Sequence, residues 1–408
     1  NEGSDGPWVD LGWTPQWILI KRTDSAASWQ LFDSMRGIST GGNDYYLNPN
    51  TNTVEVTSQN RLRLEPLGFR LDETDGDTNV DNGEFVYMAI RGWDGLVSKP
   101  AEAGTDLFAM AYGNSSGTNP SYISNFPVDF ALSRQPATAE SWYAASRVIQ
   151  PYYLETNDTD AELPASSNFF FDYNNGWRDG GAITAYLSWM WKNCAGFQAL
   201  TYKGNGQAGR KVAHSMGVAP EMIWTKARKP SGAEFQGWVV YHKGLNGGTN
   251  PADYRIYLDN ANAATLNNAA SNLWNSTIPD TRYFTLGTAA DTNDDAGNYY
   301  EYMCYLFASV EGISKCDYYD GLDSTNPITT GFQPRFVIIK RVSGGTGSWY
   351  VLDTTRGWGA GDDKDIKLDM NNAQSDYDIG APNSTGFTLT VDSAWNSSGN
   401  KYIYYAHA

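Results

Sequence analysis

The sequence predicts an all-β protein, a tandem of about four related β-sandwich units, and three observations predict it. One phrase recurs along the chain with its downstream marks in fixed order. The recurring elements are short runs rich in β-branched and aromatic residues. The stretches between them are rich in Gly, Asn, Asp, Ser and Thr, residues that favour tight turns because Gly and Asn tolerate positive φ and the short polar side chains bond nearby backbone.

The first copy opens at Pro15 with Trp17-Ile-Leu-Ile20-Lys21-Arg22. It continues through Trp29, Asp33, Arg36-Gly37, Leu47-Asn48, Gly68-Phe69-Arg70-Leu71 and Phe85-Val86-Tyr87-Met88-Ala89. The fourth copy opens at Pro334 with Phe336-Val-Ile-Ile339-Lys340-Arg341. Its marks are Trp349, Asp353, Arg356-Gly357, Leu368-Asp369, Gly386-Phe387-Thr388-Leu389 and Tyr402-Ile403-Tyr404-Tyr405-Ala406. Between them, a third copy runs from Pro220 through Lys226, Trp238, His242, Leu258-Asp259, Tyr283–Gly287 and Tyr302–Ala308. A more worn second copy runs from Pro127 through Arg134, Trp142, Arg147, Leu154, Phe169–Asp172 and Tyr186–Trp191. The proline marks stand roughly a hundred residues apart, the size of a small sandwich domain and far above a solenoid period.

The expected units are 1–95, 96–193, 194–312 and 313–408. The connectors also match: Tyr202–Gly206 precedes the third unit and Tyr318–Gly321 the fourth. The chain opens partway through the corresponding connector, so unit 1 is expected to lack its first strand, with at least one more unit upstream in a longer protein. The first and fourth copies are the closest pair, which points to an older block of three units.

Each proline is expected to open a strand, where a missing N–H costs little. Trp29 and Trp349 are expected in a core, with Asp33 and Asp353 at strand ends pairing Arg36 and Arg356 across the turn. A helical turn over Ala261–Leu266 is the one helical feature expected.

Composition narrows the function. A net charge of -17 over 408 residues argues against nucleic acid, whose phosphates demand a basic footprint. Charged residues are only 18% while aromatics reach 14% and glycines 41, the profile of a turn-rich extracellular-type β protein. No run of about 18 apolar residues suggests a membrane span. Cys194, Cys304 and Cys316 lack CxxC spacing and read as buried free thiols, with a Cys304–Cys316 pair as the alternative. The three histidines, His214, His242 and His407, lie in different units at unmatched positions, which does not make a zinc site; His242 stands where Asp33 and Asp353 stand in their units. No nucleophile elbow or phosphate-binding glycine loop is present.

Two groups of residues remain as binding candidates. Asp75, Asp77 and Asp81 offer hard oxygens for calcium, but their spacing is not that of an EF-hand and the bidentate Glu is missing; a solvated hairpin connection is the plainer account, and no cofactor is expected. Trp93, Trp177, Trp274, Trp358 and Trp395 fall in Gly- and Asn-rich stretches outside the repeated strands. A flat indole beside amides suits a sugar face; packing at the sandwich ends is the alternative.

The motifs Tyr202-Lys-Gly-Asn-Gly206, Ala213-His-Ser-Met-Gly-Val-Ala-Pro220, Trp238…Tyr241-His242-Lys243 and Ile338-Ile-Lys-Arg341 resemble the repeat of tail-fibre and tail-associated structural proteins of tailed bacteriophages, especially marine ones. So do Phe126–Leu132 and Tyr186–Trp191 of the worn unit. The resemblance implies a virion-surface protein with lectin-like units of jelly-roll or concanavalin type, and it carries over no binding residue. The expectation is therefore a non-enzymatic virion appendage that presents sandwich units to host-surface polysaccharide. It would assemble as a homo-oligomer, trimeric or higher, with other virion proteins. A purely structural capsid-decorating or tail-scaffold protein is the first alternative and a polysaccharide depolymerase, which would need a carboxylate pair, the second.

Overall fold

Every large sheet is assembled in one order, and most of the repeated marks occupy matching places in it; Leu47-Asn48 does not match Leu368-Asp369, since Asn48 stands where Lys367 stands and Asn50 where Asp369 stands. The computed structural model describes residues 6–38, 40, 43–91, 101, 103–114, 118–165, 169–181, 183–228, 237–267, 272–295 and 301–408. The fold is all-β, and all strand pairings among these residues are antiparallel.

Unit 4 shows the plan. Its large sheet runs Ser314–Asp320, Lys401–His407, Phe336–Arg341, Trp349–Asp353, Asp363–Lys367 and Ser375–Tyr377. A three-stranded sheet of Asn326–Thr329, Gly386–Leu389 and Pro382–Asn383 covers one face. Units 2 and 3 repeat this order, each with a six-stranded sheet and a two-stranded cover. In unit 1 the large sheet has five strands and ends at Phe85–Arg91; among the described residues no strand lies beyond that edge.

Side chains alternate along a strand, so each large sheet has two faces to bury. In unit 4, Val337, Ile339, Leu352, Tyr402 and Tyr404 face the small sheet and pack with Phe387 and Leu389, giving the unit its own interior. Units 1, 2 and 3 have interiors of the same kind.

The other faces of units 2, 3 and 4 meet in a fifth core that the three units share. Phe130, Trp142, Trp189 and Trp191 enter from unit 2, Trp224, Trp238, Tyr305 and Phe307 from unit 3, and Phe336, Trp349, Val351 and Tyr405 from unit 4. Aromatic contacts cross each boundary: Phe130–Tyr305 at 3.9 Å between centroids, Phe307–Tyr405 at 4.9 Å and Phe108–Phe336 at 5.1 Å.

Three equivalent sets of polar bonds close these units into a ring. The indole N–H of Trp142 donates to the Lys367 carbonyl (2.7 Å), that of Trp349 to Tyr257 (2.8 Å) and that of Trp238 to Glu155 (2.7 Å). Each acceptor stands opposite the residue after the tryptophan of its own unit. The cation ending the first central strand follows the same path. Arg134 reaches the Asn372 carbonyl (2.8 Å), Lys340 that of Asn260 (3.4 Å) and Lys226 that of Thr159 (2.8 Å). One backbone bond completes each set: Gln374 N–H to Pro136, Ala264 N–H to Val342 and Glu162 N–H to Arg228. Unit 2 thus holds unit 4, unit 4 holds unit 3, and unit 3 holds unit 2. The buried ammoniums of Lys226 and Lys340 lose hydration, which pushes each pKa down to about 8.

The expected strand-end pairs are present. Asp353 accepts the Arg356 backbone N–H (2.8 Å) and its Nε (2.6 Å), and Gly357 turns the chain at φ 101°. Asp33 holds Arg36 the same way (2.8 Å to the backbone N–H, 2.5 Å to the guanidinium).

Four expectations need correction. Of the four prolines that mark the copies only Pro15 is itself a strand residue; Pro127, Pro220 and Pro334 precede their strands by two or three residues. Ala261–Leu266 contains a short strand, Thr265–Leu266, paired to Tyr254–Arg255, because register with its neighbour outweighs a weak helical propensity. In unit 2 the strand matching Gly386-Phe387 is Gly176–Trp177, bonded to Tyr122–Ile123, and not Phe169–Asp172. Trp29 is 36% exposed and not in a core, whereas Trp349 is in one as expected, the core shared between units.

Candidate functional site

A cleft lies where units 1, 2 and 3 meet. Gln16, Ser34 and Glu65 of unit 1 face Asp129, Arg147 and Asn193 of unit 2 and Gln198 and Ser215 of unit 3, around a cavity of ≈ 110 Å³. That is room for a few waters, well short of the roughly 300 Å³ at which small-molecule sites begin. Its charges are already matched. Arg147 donates to Asp129 (3.0 Å), to the Ser34 carbonyl (3.2 Å) and to the Val128 carbonyl (2.6 Å), and Asp129 also accepts the Asn193 N–H (2.7 Å). Nearby, the fully buried Arg228 joins the same three units through Glu162 (2.7 Å), Glu301 (3.0 Å) and the Thr40 carbonyl (2.7 Å). Chemically this is an ion-paired seam that seats unit 1 on the ring, and the free thiol of Cys194 also lines it.

The structure does not bring the candidate tryptophans together at a surface. Trp177, Trp274, Trp358 and Trp395 are buried, each inside its unit's own interior. Three polar edges are spent internally: Trp177 donates to Ser188 (3.0 Å), Trp358 to the Gly380 carbonyl (2.7 Å) and Trp395 to the Thr390 hydroxyl (3.4 Å), while the Trp274 N–H is buried without a partner. Trp177 fills the small-sheet position that Phe387 fills in unit 4. A ring enclosed on both faces has none left for a sugar, so the carbohydrate assignment of these four residues is withdrawn on steric grounds. Trp93 lies outside the described residues.

The acidic hairpin of unit 1 is half-buried at Asp75 and Asp77 and exposed at Asp81. Asp75 pairs with Arg61 (2.5 Å) and accepts the Asp77 N–H (2.8 Å), while Asp77 accepts from Gln30 (3.1 Å) and from the Ser28 N–H (3.3 Å). Two of the three carboxylates proposed for calcium are therefore bound by protein donors, and no group of three metal-ligating side chains converges among the described residues. The three cysteines are free. Cys304 sits in the interior of unit 3 beside Thr225 (3.2 Å), Cys316 lies in the shared core, and burial pushes the Cys194 and Cys304 thiols up to about 12.

Two histidines are structural. The Nδ1 of His242 accepts the Gly244 N–H (3.0 Å), so its Nε2 carries the proton and donates to the Tyr404 carbonyl of unit 4 (3.2 Å). It caps the strand end as Asp353 does, but with a neutral ring. Burial pushes the pKa of His242 and of His407 down to about 3. The unfolded value is about 6.5, so between pH 6.5 and 3 the unfolded chain holds more protons. The stability these rings contribute is full above pH 6.5 and is lost as pH falls toward 3, at about 1.4 kcal/mol per pH unit per ring. Burial also raises Asp72 to about 7 and Asp259 to about 6; their contribution has the opposite sign, falling as pH rises from the unfolded carboxyl range to those values. We expect His242→Gln to flatten the acid side of the stability profile relative to the parent, read by urea unfolding at a series of pH values. A slope unchanged by the substitution would contradict the assignment.

Sequence reasoning missed the ring of indole and cation contacts. The available signal was the joint recurrence of Trp29, Trp142, Trp238 and Trp349 with Lys21, Arg134, Lys226 and Lys340, although the carbonyls they meet leave no mark in the sequence.

Four copies of one two-sheet unit, three of them closed around a common core, define a tandem-repeat β-sandwich protein. Residues 1–92 and 175–408 match the family described as Domain of unknown function (DUF7483), and the chain belongs to that family. The unmatched stretch contains most of the worn second unit, which nonetheless builds the same sheet order. No curated protein and no solved structure matches the chain. No helix among the described residues is long and apolar enough to cross a membrane.

Proposed function

We propose that this chain is a non-enzymatic segment of a virion appendage, of tail-fibre or adhesin type, that displays sandwich units for attachment to bacterial surface polysaccharide. The observation that carries this reading is the ring: three duplicated units share one core and hold one another by matched bonds, which makes a rigid body for display. Many copies of a weak surface on one particle gain avidity from such rigidity. The net charge of -17 favours a soluble exterior and disfavours nucleic acid. The test is binding of the purified chain, coupled in many copies to a bead, to arrays of bacterial surface polysaccharides. Saturable binding to a subset of glycans is expected, and no binding at any density would defeat the attachment reading.

Burial of the four described candidate tryptophans and the small size of the junction cleft favour a second reading, a structural scaffold that touches other virion proteins and no sugar. Association with purified virion components, together with silence on the glycan array, is the result this reading expects.

A further inference from the structure

In units 2, 3 and 4 the outer face of the large sheet is covered by the ring, and in unit 1 nothing among the described residues encloses the same face. The register pairs the positions without ambiguity, since Trp17 stands opposite Asp33 and Ile90 as Phe336 stands opposite Asp353 and His407. Trp29 is 36% exposed where Trp349 is 1%, and Met88 is 56% exposed where Tyr405 is 1%. Ile90 is exposed, and Trp17, Leu19 and Leu31 are half-covered, so an apolar stripe crosses three strands and ends at the open edge of Phe85–Arg91. A continuous apolar surface of this kind marks an interaction site.

Unit 1 carries both halves of the ring contact. Trp29 is placed by the Asn50 side chain, which accepts its backbone N–H (2.9 Å), as Asp369 places Trp349 (2.9 Å). Its indole N–H makes no bond among the described residues. The ammonium of Lys21, where Lys340 reaches across to unit 3, folds back on the neighbouring Arg22 carbonyl. On the acceptor side, one step beyond the Leu31–Leu47 pair puts Asn48 opposite Gln30, the place held by Lys367, Glu155 and Tyr257 in the ring. The Asn48 carbonyl closes its turn by accepting the Thr51 N–H (3.0 Å), as Lys367 does from Met370 (3.4 Å) while also taking the Trp142 indole. The Thr51 hydroxyl that leans on the same carbonyl (3.3 Å) is exposed and also bonds the Thr53 hydroxyl (2.7 Å).

A surface that bears the donor and the acceptor of one head-to-tail contact closes on copies of itself, and the internal ring shows that this contact closes after three units. We propose that unit 1 forms a second ring with unit 1 of two further copies of this chain, so that the protein is a homotrimer held by its first unit. This goes beyond the attachment reading and stands without it.

Sedimentation of the intact chain at rising micromolar concentration tests the proposal. A monomer–trimer equilibrium is expected. Met88→Glu and Trp29→Ala, both at exposed positions, should each shift it toward monomer by at least tenfold in association constant with an unchanged circular dichroism spectrum. Val391→Glu, equally exposed but on unit 4, should leave it unmoved. A monomer at every concentration, a dimer, or a trimer indifferent to Met88→Glu would overturn the proposal. A monomer would leave the stripe to units of another polypeptide.

Discussion

Replacing Trp349 with alanine is expected to cost about 3–5 kcal/mol of unfolding free energy, the range for truncating a large buried aromatic. The same change at Trp29 should cost under about 1 kcal/mol, as for an ordinary exposed position. The two residues are the same mark in the two most similar copies. Trp349 is enclosed in the shared core, is crossed by the Lys340 ammonium 5.7 Å from its ring, and donates its indole N–H to Tyr257 of another unit. Its loss removes apolar burial, leaves a cavity between units and breaks one of the three indole bonds of the ring. Trp29 is 36% exposed, and its backbone N–H is held by Asn50 of its own unit. Denaturant melts of the two variants, taken at protein concentrations too low for association, decide the matter. Equal costs would mean that the shared core adds nothing to the tryptophan it encloses.

Asp353→Ala should be comparably severe, about 3–5 kcal/mol, because removing one partner strands a buried charge. Asp353 and the Arg356 side chain are both enclosed, and the carboxylate also takes the Trp189 indole N–H of unit 2 (3.1 Å). One substitution therefore unpairs a guanidinium, uncaps a strand end and opens a contact between units. Asp33→Ala removes the matching carboxylate in unit 1, where Arg36 is about a third exposed and Glu55 lies 3.7 Å away, so solvent and a second carboxylate soften the loss to about 1 kcal/mol. A pair of melts with the order reversed would count against the burial argument.

Much of the fold was legible in the sequence. Runs such as Phe336–Arg341 show β-branched residues ended by charge, and the constant spacing from Trp to Asp to Arg reflects a strand of fixed length followed by a capped turn. Those features are local, and local chemistry leaves residue-level marks. The ring did not show because its acceptors are carbonyls of Lys367, Glu155 and Tyr257, three residues with no side-chain trait in common. Loop tryptophans such as Trp358 were ambiguous because a ring flanked by Gly and Asn can cap an interior or face water, and only the course of the second sheet settles which. In unit 2 the run of phenylalanines at 169–171 resembled a small-sheet strand more than Gly176–Trp177 does, and backbone pairing chose the latter. The open face of unit 1 is invisible in its sequence because its stripe has the same apolar character as the stripes that are covered.

The central claim is that units 2, 3 and 4 are one cooperative body built on a shared core, with unit 1 seated beside it. Native-state hydrogen exchange across a gentle denaturant series tests it most directly, read at the closing strands Leu187–Trp191, Glu301–Phe307 and Lys401–His407. These three strands are expected to converge on one opening free energy and one denaturant dependence, while Phe85–Arg91 opens at a lower cost. Three distinct opening energies, each with the denaturant dependence of a single unit, would contradict it.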